Sequence, residues 1–439
     1  MKRLLLLTLI FYSSISLAAN RYVRQGAVGA NNGSDWTNAY PSLPATLIRG
    51  DTYYIGDGSY GRYTFDDPLS GIQVITLKKA TVADHGTAVG WQDSYGDGQA
   101  TFSDMTFNFG YYTIDGQKRN ESNWQDTPSY GFRNTGSVYS SALNPGPTCA
   151  DNLVIRYVDI GGPPGSAYSE SLPSSGFYFG GFGESCDRWV VHRSHIHHVE
   201  IPFQIAGGST GLIEYNWIGP GWAKEAIRGQ IKASNFIIRN NVFKDSCQFT
   251  PGDQTSGCTA EIAMWDGSAA GSFSGNEIYG NIFQKTTNEH NSGGVIVVGG
   301  NGSSWVGVSA SNTKIYNNTL VGFHQGNAMI LVNGGTGNAV TNNIWYDIGP
   351  GVFFECSANT CTNNLKLMAN PFVAYPNNLR LSIARPGTTL GAPYDVDLTG
   401  VMRGSDGVWD VGAYEFGGTI PVPTGRKLKS STTTIRVTP

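Results

Sequence analysis

GLIEYNWI (211–218), FIIRNNVF (236–243), EIYGNIF (277–283), KIYNNTL (314–320), AVTNNIW (339–345) and CTNNLKL (361–367) are variants of one phrase. Each is a β-prone run, a polar turn, and apolar residues directly after an Asn. Asn216, Asn241, Asn281, Asn318, Asn343 and Asn364 hold equivalent positions, spaced 25, 40, 37, 25 and 21 residues apart. A short period lengthened in places by whole insertions is what stacked coils of a parallel β-solenoid produce, with the insertions emerging as loops on one face. NLVIRYVDI (152–160) and WVVHRSHI (189–196) fit the same template, with Val158 and Ser194 in the Asn column, which makes eight coils in register.

An Asn repeated at one turn has a physical reason. Its amide donates to and accepts from backbone groups of the coils above and below, and it tolerates the left-handed bend that ends the strand. These Asn residues are therefore read as scaffold rather than as site.

A second strand family lies one strand earlier in each coil: GFYFGG (176–181), PFQIAGG (202–208), AIRGQI (226–231), EIAMWDG (261–267), GVIVVGG (294–300), AMILVNGG (328–335) and GVFFEC (351–356). Side chains alternate across a strand. This predicts Phe177, Phe203, Ile227, Ile262, Val295, Met329 and Phe353 stacked inward. Tyr178, Gln204, Arg228, Ala263, Ile296, Ile330 and Phe354 then face outward along a long, shallow groove.

At the start, Lys2 and Arg3, an apolar run (4–7 and 9–11) and the small residues Ser16, Ala18 and Ala19 read as a secretory signal peptide over 1–18. That run is too short for a stable membrane span, and no second one exists. The mature chain is expected outside the cytoplasm, secreted or periplasmic. Its 29 basic and 33 acidic residues give a net charge of −4. Removal of Lys2 and Arg3 leaves 27 basic against 33 acidic, net −6. No basic surface for nucleic acid follows from that balance.

Only 14% of residues are charged and 58 are Gly, a composition neither disordered nor helical. Six Cys in a secreted chain invite pairing. The set that joins positions within or between adjacent coils is Cys149–Cys186, Cys247–Cys258 and Cys356–Cys361, one of the 15 connectivities that six Cys allow.

The segment RYVRQGAVGANNGSDWTNAYPSLP (21–44) offers one amphipathic helix over 36–47, interrupted by Pro, followed by the strand TYYIG. It is placed to cover the first open coil, which would otherwise pair with another chain. The pattern YVxxGAxGxNxGSDWxNAYxxLP with GDTYYIGDGSY (50–60) resembles the amino-terminal cap of bacterial secreted right-handed parallel β-helix proteins. WDVGAYEF (409–416) is similar to their closing motif. The resemblance covers roughly 21–416. It implies a carbohydrate-active protein, often a polysaccharide lyase of the pectate, alginate or chondroitin type, sometimes an epimerase or a hydrolase; the signature of any single lyase family is incomplete here. The expected organisation is a cap with first strands over 19–70, an all-β right-handed parallel β-helix over 71–416, and a Thr-, Pro- and Ser-rich tail over 417–439.

A uronate lyase must neutralise a carboxylate, remove the C5 proton and protonate the leaving oxygen. The richest basic cluster is GWAKEAIRGQIK (221–232), with Lys224 as candidate base and Arg228 as carboxylate binder or acid partner. Glu225, Lys232 and Trp222 flank them. The bland reading pairs Glu225 with Lys224 on a solvated face. HRSHIHHVE (192–200) carries four of the seven His. Alternation puts His195 and His197 on one face and His198 on the other, so His197 and His198 are candidate bases, and a His pair with Glu200 is a candidate metal set.

Glu261 and Asp266, beside the aromatic platform Trp265, are the carboxylates a glycoside hydrolase would need. Glu261 facing Arg228 as a stacked ion pair is the alternative. Glu289, His290 and His324 sit on later loops of the same wall. Scattered loop Asp and Asn leave room for Ca²⁺, without a recognised ligand spacing. The expected partner is an acidic polysaccharide. A non-catalytic carbohydrate-binding or adhesion solenoid is the reading from outside enzymology.

Overall fold

The computed structural model describes residues 18–136, 138–140, 150–162, 175–179, 186–205, 210–221, 224–230, 233–246, 260–265, 272–286, 290–291, 294–300, 308–349 and 356–417. Residues 1–17 and 418–439 fall outside that set. Two three-residue 3-10 turns, Asp93–Tyr95 and Thr127–Ser129, are the helical elements among the described residues. No described helix is long and apolar enough to cross a membrane. The helix expected over 36–47 does not form. The stretch is irregular, as Pro41 and Pro44 would dictate, and Trp36 is buried there against Tyr22 and Trp91.

The strands stack into a right-handed parallel β-helix. The first sheet has twelve parallel strands, from Asn20–Val23 to Thr360–Thr362. Two further ladders share the long strands Gly58–Phe65 and Ala100–Phe107 and then separate. The second sheet continues through Phe132–Asn134, Val158–Gly161, His195–His197, Trp217–Ile218 and Val242–Lys244 to Leu365–Leu367. The third continues through Ser175–Phe179, Ile201–Ile205, Ile227–Gly229, Ile262–Met264, Ile296–Val298 and Ile330–Val332 to Cys356–Ser357. A coil thus runs from the first sheet through a tight turn to the second, round a corner to the third, and back by a loop.

The expected Asn column is a hydrogen-bonded ladder. Asn216 Nδ2 donates to Asn241 Oδ1 (3.0 Å), and the pattern repeats to Asn281 (3.0 Å), Asn318 (3.0 Å), Asn343 (2.9 Å) and Asn364 (2.9 Å). Each accepting Oδ1 also takes the backbone N–H of the ladder residue before it. Ser194 and Val158 extend the column: Ser194 N–H donates to Asn216 Oδ1, and Val158 N–H to Ser194 Oγ.

One detail differs from expectation. The left-handed residue is the one before the column, namely Tyr157, Arg193, Tyr215, Asn240, Gly280, Asn317, Asn342 and Asn363, with φ between 49 and 64°. The ladder Asn is thereby left extended, its amide free to bond along the stack.

Inside, the three sheets bury one continuous apolar core. Phe177 stacks on Phe203 at 5.0 Å and Phe243 on Phe283 at 4.6 Å. Each such side chain contributes about 1.5–3 kcal/mol. In the third sheet the phase is right as far as Ile262 and then slips by one residue. Ile262 pairs with Ile296, Ile296 with Ile330, and Ile330 with Cys356, so Ala263, Val297 and Leu331 face outward and Ile296 and Ile330 inward. GVIVV and AMILV are apolar on both faces, so alternation carries no phase there, and a one-residue slip exchanges the faces. Phe353 and Phe354 lie outside the described residues.

Residues 33–40 run along the open edge of the first strand. Tyr22 N–H donates to Gly33 O (3.0 Å), Tyr40 N–H to Tyr22 O (2.9 Å) and Arg24 N–H to Tyr40 O (2.8 Å). At the other end the chain folds back along the second sheet. The hairpin Phe372–Ala374 with Asn378–Leu381, together with Leu398, Val411 and Ala413, covers the outward side chains Val242, Ile282, Val321 and Ile344. Cys356 and Cys361 form the expected disulfide. Cys186 is disulfide-bonded too, while Cys149, Cys247 and Cys258 lie outside the described residues.

Replacing Asn281 by Ala, which strips buried acceptors from Asn241, is expected to destabilise the protein by about 2–4 kcal/mol. The half-buried terminal rung, Asn364→Ala, is expected to cost less than half of that. Urea denaturation of both variants measures the difference.

Candidate functional site

Tyr178, Gln204 and Arg228 are register partners on three successive rungs of the third sheet. They point outward, about 4.8 Å apart per rung. Gln204 Nε2 donates to Gln230 Oε1 (3.3 Å). Arg228 Nε donates to Glu225 Oε2 at 2.8 Å, and Nη2 bonds the same oxygen. Lys224 is ion-paired with Glu200 of the previous coil. The partners are therefore exchanged relative to the expected Lys224–Glu225 pair. Arg228 and Lys224 keep 20% and 36% of their side chains exposed, whereas Glu225 is buried beneath Arg228.

Past Arg228 the outward row turns apolar. Ala263 and Val297 are buried with Ala260 and pack against Trp265 and Leu331. Trp265 thus serves as packing in this cluster, and the polar strip ends at the rung of Arg228. Trp222, Lys232, Asp266 and Glu289 lie outside the described residues.

Glu261 is not on the groove. Only 1% exposed, it sits with its Oε1 2.5 Å from Lys285 Nζ and its Oε2 accepting from Ser246 Oγ at 2.5 Å. Lys285 also donates to Ser246 O. Burial pushes this carboxyl above its ordinary range, outweighing the pull of Lys285 and Ser246. The expected Glu261–Arg228 ion pair is absent because Glu261 precedes its strand at the corner and turns into the wall. Nor does Glu261 face solvent as half of a hydrolytic carboxylate pair. His290 belongs to the short strand His290–Asn291, and His324 pairs with Asp347 (3.0 Å) on the surface.

The His run divides between two sheets. His192 ends a first-sheet strand, 3.9 Å from Glu214, and burial pushes its pKa down to about 3, with nearby Arg156, Arg193 and Arg119 adding to the effect. His195 and His197 share the outward face of the second sheet, as alternation predicts, with rings stacked 4.2 Å apart. Both converge on Asp159, at 2.8 Å from His195 Nδ1 and 3.1 Å from His197 Nε2. His198 turns the corner with φ 49° and sets its Nδ1 2.6 Å from His197 Nδ1.

Burial opposes the Asp159 charge, but hydrogen bonds from His195 and His197 outweigh it and hold the carboxyl below its usual range. Burial also pushes His195 down and His198 down to about 4. Glu200 takes no part in this cluster, since it is engaged by Lys224. Asp159 was missed in the sequence reading although a signal existed. It follows Val158 as His195 follows Ser194, so one column places both on the same face.

No family model matches this chain, and no curated protein matches it. Among solved structures it is similar to pectate lyase Pel9A, at 14% identity over 92% of this chain and 98% of that one, with a TM-score of 0.49. It is also similar to an endo-xylogalacturonan hydrolase from Aspergillus tubingensis (11%, 79% and 91%, TM-score 0.30). The A-module of the mannuronan C-5 epimerase AlgE6 from Azotobacter vinelandii matches at 13%, over 73% and 91%, with a TM-score of 0.29. Likenesses this distant pass no residue role, substrate or reaction to this chain.

Lys285→Met leaves the Glu261 carboxyl buried without its cation and is expected to destabilise the protein by about 3–5 kcal/mol near neutral pH. The Glu261 pKa already lies above its ordinary 4.5. Its ionisation therefore opposes folding only as pH rises beyond that value, and the penalty shrinks in acid. Thermal unfolding of both proteins across pH checks the sign.

Proposed function

We propose that this chain is a secreted polysaccharide-active enzyme that lays an acidic, uronate-containing polymer across the outward face of the third sheet and cleaves it by β-elimination. The register that aligns Tyr178, Gln204 and Arg228, with Lys224 at the corner entering the same rung, carries this reading. Arg228 offers a planar fork to the substrate carboxylate, trading part of its contact with Glu225. Lys224, in its neutral amine form, takes the C5 proton.

Electrons of the broken C5–H bond form the C4–C5 double bond, and the C4–O bond breaks with its pair on oxygen. Burial raises the pKa of the Tyr178 phenol, so it stays protonated and can give its proton to the leaving oxygen. Gln204 hydrogen-bonds the sugar between them. His197 and His198, offered by the sequence as bases, are buried and bonded to Asp159 and to each other, so in this reading they do not meet the polymer. The Cys356–Cys361 disulfide suits an oxidising compartment.

Purified protein incubated with alginate, pectate, glycosaminoglycans and ulvan is expected to release an unsaturated uronate, read by its ultraviolet absorbance, from at least one of them. Arg228→Ala and Lys224→Ala should each lower that rate by roughly 10²–10³-fold, with Arg228→Lys intermediate. New reducing ends without the absorbance would mean hydrolysis. Binding without either signal would make the chain a non-catalytic carbohydrate-binding solenoid.

A further inference from the structure

The sequence His195-Ile196-His197 lies on one extended strand, so both imidazoles leave the same face. Across the ladder, Asp159 is the register partner of His195. Among the described residues this is the one group whose His, Cys or carboxylate ligand atoms, three or more, all fall within 4.8 Å of one another. We propose that Asp159, His195 and His197 bind a divalent transition-metal ion of the zinc class beside the groove, a water molecule completing the tetrahedron.

The donor geometry suits such an ion. Tetrahedral zinc with bonds near 2.0–2.2 Å holds its donors roughly 3.3 Å apart. Asp159 Oδ1 lies 2.8 Å from His195 Nδ1 and 3.1 Å from His197 Nε2, both within about half an ångström of that spacing, and the three ligand atoms all lie within 4.8 Å of one another. Two nitrogens and one carboxylate favour a borderline ion; Ca²⁺ prefers six to eight oxygens.

Asp159 and His197 have groups behind them placed as second partners usually are. Arg133 Nη1 lies 3.4 Å from the other Asp159 oxygen, leaving Oδ1 to the ion. A metal on His197 Nε2 puts the ring proton on Nδ1, which then donates to His198 Nδ1 at 2.6 Å. Thr127 Oγ1 stands 3.5 Å from the donor atom His195 Nδ1 itself, on the ion's side of the ring, and Tyr130 stacks over that ring at 6.1 Å. An ion here would pin the 127–130 segment onto the second sheet. His195 is 4% exposed, His197 1% and Asp159 fully buried. That closure keeps the ion from substrate, so it would act on stability rather than on rate.

Full-length protein stripped with a chelator is titrated with Zn²⁺ and, separately, with Co²⁺. The expected result is uptake of about one Zn²⁺ per chain, a Tm raised by several degrees, and the visible absorption of tetrahedral Co²⁺. Ca²⁺ should leave Tm unchanged. Asp159→Asn, close in shape to the native side chain, should weaken Zn²⁺ binding at least tenfold, and the His195→Ala, His197→Ala double variant should abolish it. Far-UV circular dichroism establishes that each variant is folded. If the stripped protein is unfolded, refolding on addition of Zn²⁺ supports the site and failure to refold overturns it. Folded wild-type protein that takes up neither ion, or variants that bind as wild type does, would equally overturn it.

Discussion

Every coil is held in phase with the next by hydrogen bonds that run along the stack, and the Asn ladder is the place where that phase is locked. Each buried amide has its partners only when the coils are in register; a slip of one residue would strand several donors at once. The left-handed residue before each rung turns the chain from the first sheet to the second, at a cost of about 1–2 kcal/mol where it is neither Gly nor Asn. Tyr157, Arg193 and Tyr215 accept that conformation because the rungs on either side over-determine it.

With the register locked, the surface is set by what covers each face. Residues 368–417 fold back over the second sheet and, through Tyr394 and Trp409, over the first, and the 127–130 segment covers the beginning of the second. The third sheet keeps Arg228 and Lys224 partly exposed. Its row is polar where Tyr178, Gln204 and Arg228 follow one another and apolar from Ala263 onward, so the chemistry is confined to a short stretch of a long rod.

The second sheet and the corner that follows it hold two compact buried clusters of ionisable groups. Glu261 with Lys285 and the His195–His197 cluster on Asp159 are buried groups, while Lys224 and Arg228 keep a face to solvent. Buried polar groups of this kind stabilise only when every partner is present. That separates the two sets of ionisable residues physically: one holds the wall together and the other is available to a ligand.

The sequence by itself determined the fold class, the ladder and its spacing, the Cys356–Cys361 bridge and the outward row through Ala263, because each rests on a local repeat whose period is set by backbone geometry. It also placed His195 and His197 on one face. Only the tertiary structure decided who pairs with whom. Lys224 reaches back to Glu200, Arg228 takes Glu225, Glu261 turns to Lys285, and Asp159 joins two His residues 36 and 38 positions away. Those choices depend on the path of the chain round each corner and on which loops cover it, and a repeat that defines strands carries no signal for corners. The slip after Ile262 has the same origin: a strand apolar on both faces names no inward side until its neighbours pack against it.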